Sequence, residues 1–367
     1  MLTAVTVSVA HVSKFYYLRL HSTNESLKKK TQYMKLIIPM AGRGTRLRPH
    51  THTTPKPLMP VAGTMIVERI VETFARTLDR TIDEIVFILG DFGDEVKKQL
   101  TEMSERHDAK ATFRRQDEAL GTAHAVYCAQ QDLQGECIIV FADTIFDVDD
   151  VVSVEDADSV IWLKEVEDPS RFGVAVHEGD TITDFVEKPD EPISNMAIIG
   201  VYYFKEGADL KREIEYLLDN DIRGHGDEFQ LTDALDRLLK DGKVFKTATV
   251  DEWLDCGTIP AWLETSGVIV EKEQDQHPYN EEDFKNTKII PPVYIGENVA
   301  LENCVIGPYA SIGKGTRIVD STVQNSIVLN HSSISDSTVR HSTIGNHVEA
   351  KHIVEPVHLG DHTKVGG

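Results

Sequence analysis

Apolar positions along the chain follow two different rhythms. From Met34 they form short unbroken runs separated by stretches of helical spacing. Lys35-Leu-Ile-Ile-Pro39 reads as a buried strand, and Thr64 to Leu78 puts Ile66, Val67, Ile70, Val71 and Phe74 on one helical face. Glu84–Leu89 predicts the next strand and Asp94–Met103 the next helix. Ile138–Phe141 and Ser159–Leu163 predict two more strands. Strand and helix in alternation imply an α/β fold, with a Rossmann-like, mostly parallel sheet covered on both faces. Ligands of such sheets bind at the carboxyl ends of the strands.

The rhythm changes near residue 270. Glu271 to Lys288 is polar and acidic, so 268–290 reads as a linker after a domain over 34–267. Beyond it Ile295, Leu301, Ile306, Ile312, Ile318, Val323, Val328, Ile334, Val339 and Ile344 recur every five or six residues. No α-helix has that period. It suits a β-solenoid over 291–354, in which each short strand turns one aliphatic inward; an irregular β-sandwich is the alternative. With about eighteen residues per coil, the segment holds about three coils. The Gly- and His-bearing end, 355–367, reads as a loose tail. Residues 1–33 lack the basic start and cleavage site of a signal peptide, and read as an extension or a mis-assigned start.

Charge narrows the functional classes. The 367 residues carry a formal net charge of −22, with 60 Asp and Glu against 38 Lys and Arg. Such a surface repels phosphate backbones, so nucleic acid is not an expected partner; a local basic pocket for a small phosphate ligand remains open. Cys128, Cys137, Cys256 and Cys304 form no CxxC pair, which argues for a reducing, cytoplasmic compartment. No apolar run is long enough for a membrane span. His331, His341, His347, His352, His358 and His362 fit no zinc spacing and read as exposed polar turns. A solenoid histidine could also act as an acyltransferase base, but three coils favour packing or self-association. Cys256 reads as a small buried filler.

The strongest local chemistry is a glycine loop. A strand runs into Gly42-Arg43-Gly44-Thr45-Arg46, where glycines let backbone N–H groups approach a phosphate. Lys56 follows between Pro55 and Pro57, which stiffen the chain around it. The segment contains neither GxGxxG nor GxxxxGK[ST].

Residues 39–60 as a whole, PMAGRGTRLRPHTHTTPKPLMP, resemble the signature of sugar-1-phosphate nucleotidyltransferases, roughly AGGxGTRLxPLT followed by PKPLxPV. Ala41 replaces the first glycine, and His52 is read as interrupting the Pro-Leu-Thr segment. Further matches follow in order: Gln116 with Ala119–Ala123, Phe141–Phe146, Asp168–Gly173, Glu187-Lys188-Pro189, Asn195–Phe204, Glu228–Asp233 and Trp253–Thr258. The resemblance spans about 34–265. It is nearest to long-type glucose-1-phosphate thymidylyltransferases with a C-terminal hexapeptide-repeat domain, which implies a left-handed parallel β-helix.

The resemblance also implies a reaction and a site. A sugar-phosphate oxygen attacks the α-phosphorus of an NTP, and pyrophosphate leaves. Arg46 and Lys56 would contact the triphosphate and Lys188 the sugar phosphate, as the catalytic set. Ala41, Gly42, Gly44 and Thr45 would cradle the nucleotide, and Gln116, Gly121 and Thr122 would lie on its base side. Thr144, Gly173, Glu187 and Glu228 would join Lys188 around the sugar. Asp143 and Asp255 would hold Mg²⁺, which favours one or two carboxylates plus phosphate oxygens. The expected substrates are dTTP and glucose 1-phosphate. The alternative is UTP with glucose 1-phosphate or N-acetylglucosamine 1-phosphate, with a bifunctional enzyme as a variant. A silent sugar-nucleotide-binding subunit is the different class; intact Arg46, Lys56, Asp143, Lys188 and Asp255 speak against it. A homo-oligomer is expected, and deleting 289–367 is expected to change assembly more than chemistry.

Overall fold

Strand β1 (Lys35–Pro39) opens the large sheet of the computed structural model, which describes residues 33–78, 80–148, 152, 154, 156–189, 191, 193–354 and 356–366. Apart from Tyr33, the segment read as an extension lies outside the described residues. After β1 come the small hairpin β2 (Pro60–Val61) and β3 (Thr64–Met65), α1 (Ile66–Thr77), β4 (Glu84–Leu89) and α2 (Gly93–Arg106). Next are β5 (Lys110–Arg115), α3 (Thr122–Tyr127), β6 (Cys137–Val140), β7 (Thr144–Asp147), β8 (Ser159–Glu165), β9 (Gly173–Glu178) and β10 (Thr181–Glu187). The series ends with β11 (Met196–Phe204), α4 (Gly207–Asp219), α5 (Leu231–Lys240), β12 (Phe245–Thr249), β13 (Glu252–Asp255) and α6 (Ile259–Lys272).

The nine-stranded sheet has the order β5-β4-β1-β6-β11-β8-β12-β10-β9. From β5 to β6 every neighbour is parallel, and β4 is buried at all six residues, as a sheet covered on both faces requires. Beyond β6 the sheet is mixed: β11 runs antiparallel to both β6 and β8, and β9 and β10 form an antiparallel pair. Alternation along β1 divides the core. Leu36 and Ile38 face α1 residues such as Ile70 and Phe74, while Ile37 joins Ile214 of α4 and Leu235 of α5.

The second rhythm builds a left-handed parallel β-helix. Three sheets run along it, one of four strands and two of five, with every pairing parallel. Apart from Ile295, which is half-buried, every aliphatic of the recurring series is buried inside it. The coil is tighter than expected. Leu301 pairs with Ile318 seventeen residues on, Ile318 with Ile334 sixteen on, and Glu349 with Lys364 fifteen on. Coils therefore stack five deep in two of the sheets, rather than about three. A single residue in the left-handed region turns each corner: Asn303, Asp320 and Asp336 on one edge, His331, His347 and His362 on another. One-residue corners leave the coil short. These three histidines are exposed and stack ring on ring, 5.3 and 5.1 Å between successive centroids.

Two segment boundaries need correction. The stretch 355–367 is not a loose tail within its described part: His358–Leu359 and Lys364–Val365 extend two of the β-helix sheets. Nor does a linker begin at 268, because α6 continues through Lys272 and the strand Lys288–Ile289 already belongs to the β-helix. The β-helix packs on the sheet domain. Ile327 and Leu329 point outward from it and enter the core that holds Trp262 and Ile269 of α6. Buried Arg69 of α1 forms a bidentate pair with Glu273, at 2.6 and 2.9 Å, just beyond α6.

Candidate active site

The glycine loop leaves β1 at the carboxyl edge of the sheet. Gly42, Arg43, Thr45 and Arg46 are exposed there. Gly44 has φ +55, and a Cβ on it would lie 3.1 Å from Thr51 Cγ2 and 3.2 Å from Lys56 Cβ, so any side chain there is both strained and crowded. The Thr51 hydroxyl donates to Gly44 O at 2.7 Å and closes the loop. Lys56 begins a 3₁₀ turn ending at Leu58 and is buried. Around Gly42 the space that a Cβ would take is open. Ala41 lies against Gly90, just after β4.

Across from this loop lie two carboxylates. Asp143 precedes β7 and Asp255 ends β13, and these strands form an antiparallel ribbon in which Asp255 pairs with Thr144. Chain segments 112 residues apart are thereby brought side by side. Lys56 Nζ lies 3.8 Å from Asp143 Oδ2. Asp143 sits deep among protein atoms, yet solvent reaches 55% of its side-chain surface, as at the floor of a cleft. Burial raises its pKa, with the Asp255 carboxylate adding to the rise; Lys56 and Arg46 oppose it. Asp255 Oδ1 accepts from the Gly257 N–H at 2.6 Å, and a Cβ on Gly257 would lie 3.3 Å from Arg46 Nη2. Two solvent-reached carboxylates with cations facing them form a donor set that suits a hard divalent cation bridging to phosphate oxygens and water. Thr144 itself is buried, which leaves little of it for a sugar. Cys256 is fully buried and its thiol is pushed up to about 12 by burial, so it stays inert.

A second cluster forms on the antiparallel half of the sheet. Glu187 closes β10 opposite Gly173. A Cβ on Gly173 would lie 2.9 Å from Glu187 Oε2, so the glycine makes room for that carboxylate. Thr232 Oγ1 donates to Glu187 Oε2 at 2.7 Å, and Lys188 Nζ lies 3.8 Å from Glu187 Oε1. Lys188 is itself in the left-handed region, at φ +43. Tyr202 is buried edge-on to Phe141, with centroids 6.3 Å apart; burial raises its phenol pKa, and both Glu187 and Asp143 add to the rise.

The segment expected at the base docks on the start of α5. Gly121 has φ +119, and a Cβ there would overlap the Phe229 backbone, 2.6 Å from its nitrogen. Thr122 Oγ1 accepts from the Leu231 N–H at 2.8 Å. These two residues thus place the segment, while Gln116, tied by its N–H to Leu89 O, stays partly open. Glu228 is exposed, and its described side-chain contact is with Gln230 rather than with the Glu187 cluster.

The sequence reading missed Tyr202, Thr232 and Asp233 as site residues. Thr232 and Asp233 end a motif it had already matched, and Asp233 Oδ2 is buried without a partner among the described residues. Burial, then Glu187 and Asp236, raise the Asp233 pKa. The departure from Pro-Leu-Thr is also placed better by Pro49-His50-Thr51: His50, not His52, takes the leucine position.

The chain is similar to proteins of known kind. The chain is 32% identical over 329 residues to the low-salt glycan biosynthesis nucleotidyltransferase Agl11 of Haloferax volcanii, covering 82% of this chain and 89% of that protein. It is 29% identical to a glucose-1-phosphate thymidylyltransferase of Streptomyces griseus, over 90% of this chain and 99% of that one. The crystal structure of a UDP-glucose pyrophosphorylase with UDP-glucose shares the fold, with a TM-score of 0.53 at 23% identity, over 65% of this chain and 99% of that one. The sequence pattern of one family fits residues 35–272, the whole sheet domain through the end of α6, and on that ground the chain belongs to the nucleotidyl transferase family.

Proposed function

We propose that the chain transfers a nucleotidyl group from dTTP to glucose 1-phosphate, forming an NDP-sugar. The observation that carries this reading is the cleft where Arg46 and Lys56 face Asp143 and Asp255, with Lys56 Nζ 3.8 Å from Asp143. A sugar-phosphate oxygen forms a bond to the α-phosphorus as the bond to the bridging oxygen breaks, and pyrophosphate carries away the electron pair. That step is mostly alignment and charge stabilisation. Arg46 and Lys56 bind the triphosphate and neutralise charge there, and Lys188 brings in the sugar phosphate. Asp143 and Asp255 would hold Mg²⁺, which when bound supplies further positive charge to the phosphates. Glu187, oriented by Thr232, accepts hydrogen bonds from sugar hydroxyls. Gln116 both donates and accepts, and so reads the imide edge of a pyrimidine. Uracil presents the same edge, so UTP with glucose 1-phosphate or N-acetylglucosamine 1-phosphate is the second reading. The reading includes a cytoplasmic setting, in keeping with four free thiols, and self-association through the β-helix. Mass spectrometry of the product from mixed dTTP and UTP tests it: a dTDP-sugar supports the first reading, a UDP-sugar the second, and no NDP-sugar contradicts both.

A further inference from the structure

The loop that carries Arg46 and Lys56 has a second face, and it lies on the last coils of the β-helix. His50 is buried, with Nε2 2.6 Å from Thr343 Oγ1, and Thr343 Oγ1 is 2.9 Å from His358 Nδ1. The Thr53 hydroxyl donates to Asp361 Oδ2 at 2.7 Å. Pro49 packs on Gly360, where a Cβ would lie 3.1 Å from Pro49 Cβ. The His50 ring also meets Trp262 of α6 edge-on, with centroids 5.4 Å apart.

The turns that carry the two cations close on themselves, Leu47 N to Gly44 O at 3.0 Å and Leu58 N to Pro55 O at 2.9 Å, but the stretch between them has longer bonds and gains from outside support. Arg48 N reaches Thr45 O at 3.3 Å, His52 N reaches Pro49 O at 3.2 Å, and Thr54 N reaches His50 O at 3.5 Å. Proton placement follows from accounting for donors. His50 Nδ1 is buried without a partner among the described residues. A proton there would leave a buried N–H unpaired, a costlier orphan than a lone pair. The network therefore assigns the proton to His50 Nε2, which donates to Thr343 Oγ1, and Thr343 in turn donates to His358 Nδ1.

Resting on the reading that Arg46 and Lys56 hold the triphosphate, we propose that Thr343 and Asp361 of the β-helix are positioning residues for nucleotidyl transfer. They fix His50 and Thr53, and through them the 3₁₀ turns that aim the two cations. Displacements of an ångström in such groups cost rate far out of proportion to stability. The β-helix is then a structural wall of the catalytic site as well as an appended repeat.

The test compares the full chain with Thr343→Val and Thr343→Ser. Pyrophosphate-release kinetics and hydrogen–deuterium exchange over residues 45–58 are read together. Thr343→Val is expected to lower kcat/KM for the NTP about tenfold, leave KM for the sugar phosphate unchanged, and speed exchange in the loop. Thr343→Ser, which keeps the hydroxyl, restores all three. Wild-type kinetics and exchange in Thr343→Val overturn the proposal, as does an equal loss toward both substrates. If Thr343→Val does not fold, Thr53→Val, at an exposed residue, carries the same comparison against Asp361. If the wild-type chain releases no pyrophosphate with any substrate pair, the functional reading fails, and exchange alone decides whether the brace exists.

Discussion

Asp143 answers to two opposed demands. Its depth in the cleft and the nearby Asp255 favour the neutral carboxyl, while Lys56 and Arg46 favour the carboxylate. A bound divalent cation would settle that contest toward the charged form. Asp143→Asn removes the charge and keeps the shape, so turnover is expected to fall about 10³-fold with the melting temperature unchanged or raised. Steady-state pyrophosphate release and thermal unfolding check it; wild-type turnover would sink the assignment. His50 sets a different pH dependence. Burial, with His358 adding to it and Asp361 opposing, lowers its pKa to about 4 from 6.5. The unfolded chain binds this proton more readily than the folded one, so stability falls as pH drops from 6.5 toward 4, by on the order of 3 kcal/mol, and is flat above 6.5 for this group. Thr343, His358, Asp361 and Trp262 are the groups facing it. Denaturant unfolding of the wild type and His50→Leu between pH 4 and 7 isolates the effect, and identical slopes in the two would contradict it.

Elements decide which residues meet. Gly121 starts α3 in a conformation that side chains avoid, against the backbone of Phe229. Gly121→Ala is therefore expected to destabilise the fold by about 3 kcal/mol, whereas Gly42→Ala, facing open space, leaves stability within about 0.5 kcal/mol and raises KM for the NTP. Urea unfolding with kinetics separates the two, and equal stability losses would count against the account. How far such placements are legible in the sequence differs by element. The strands at Lys35, Glu84, Cys137 and Ser159 and the helices α1 and α2 were legible because buried runs and helical faces are local patterns, whereas β5, half-exposed along its length, and the short α3 and β7 were not. The β-helix was legible because each short strand repeats one inward aliphatic, but its coil length was not. That length depends on one-residue corners such as Asn303 and His331, which look like ordinary polar turns in a linear sequence. The pairing of Asp143 with Asp255 left no local trace; the ribbon between β7 and β13 makes it, and only the motif resemblance linked the two. Tyr202 was missed because its place follows from an irregular strand register between Ile198 and Tyr202.

At the scale of the whole molecule, the two rhythms of the sequence become one working body. Ile327 and Leu329 of the β-helix share a core with α6, and the last coils grip the glycine loop. Removing 289–367 would bare that core and release the loop, so the structure favours a loss of chemistry where the sequence alone suggested a change of assembly. The segment 356–366 belongs to that grip, since it holds His358 and Asp361. Against the net charge of −22, Arg46, Lys56 and Lys188 are the cations proposed to meet phosphate groups. The most direct measurement is pyrophosphate release by the full chain, with dTTP, UTP, GTP, CTP and ATP each crossed against glucose 1-phosphate, N-acetylglucosamine 1-phosphate and mannose 1-phosphate, with and without Mg²⁺. The account predicts Mg²⁺-dependent release that needs both substrates and is fastest with dTTP and glucose 1-phosphate. Folded protein that releases no pyrophosphate from any pair would contradict it.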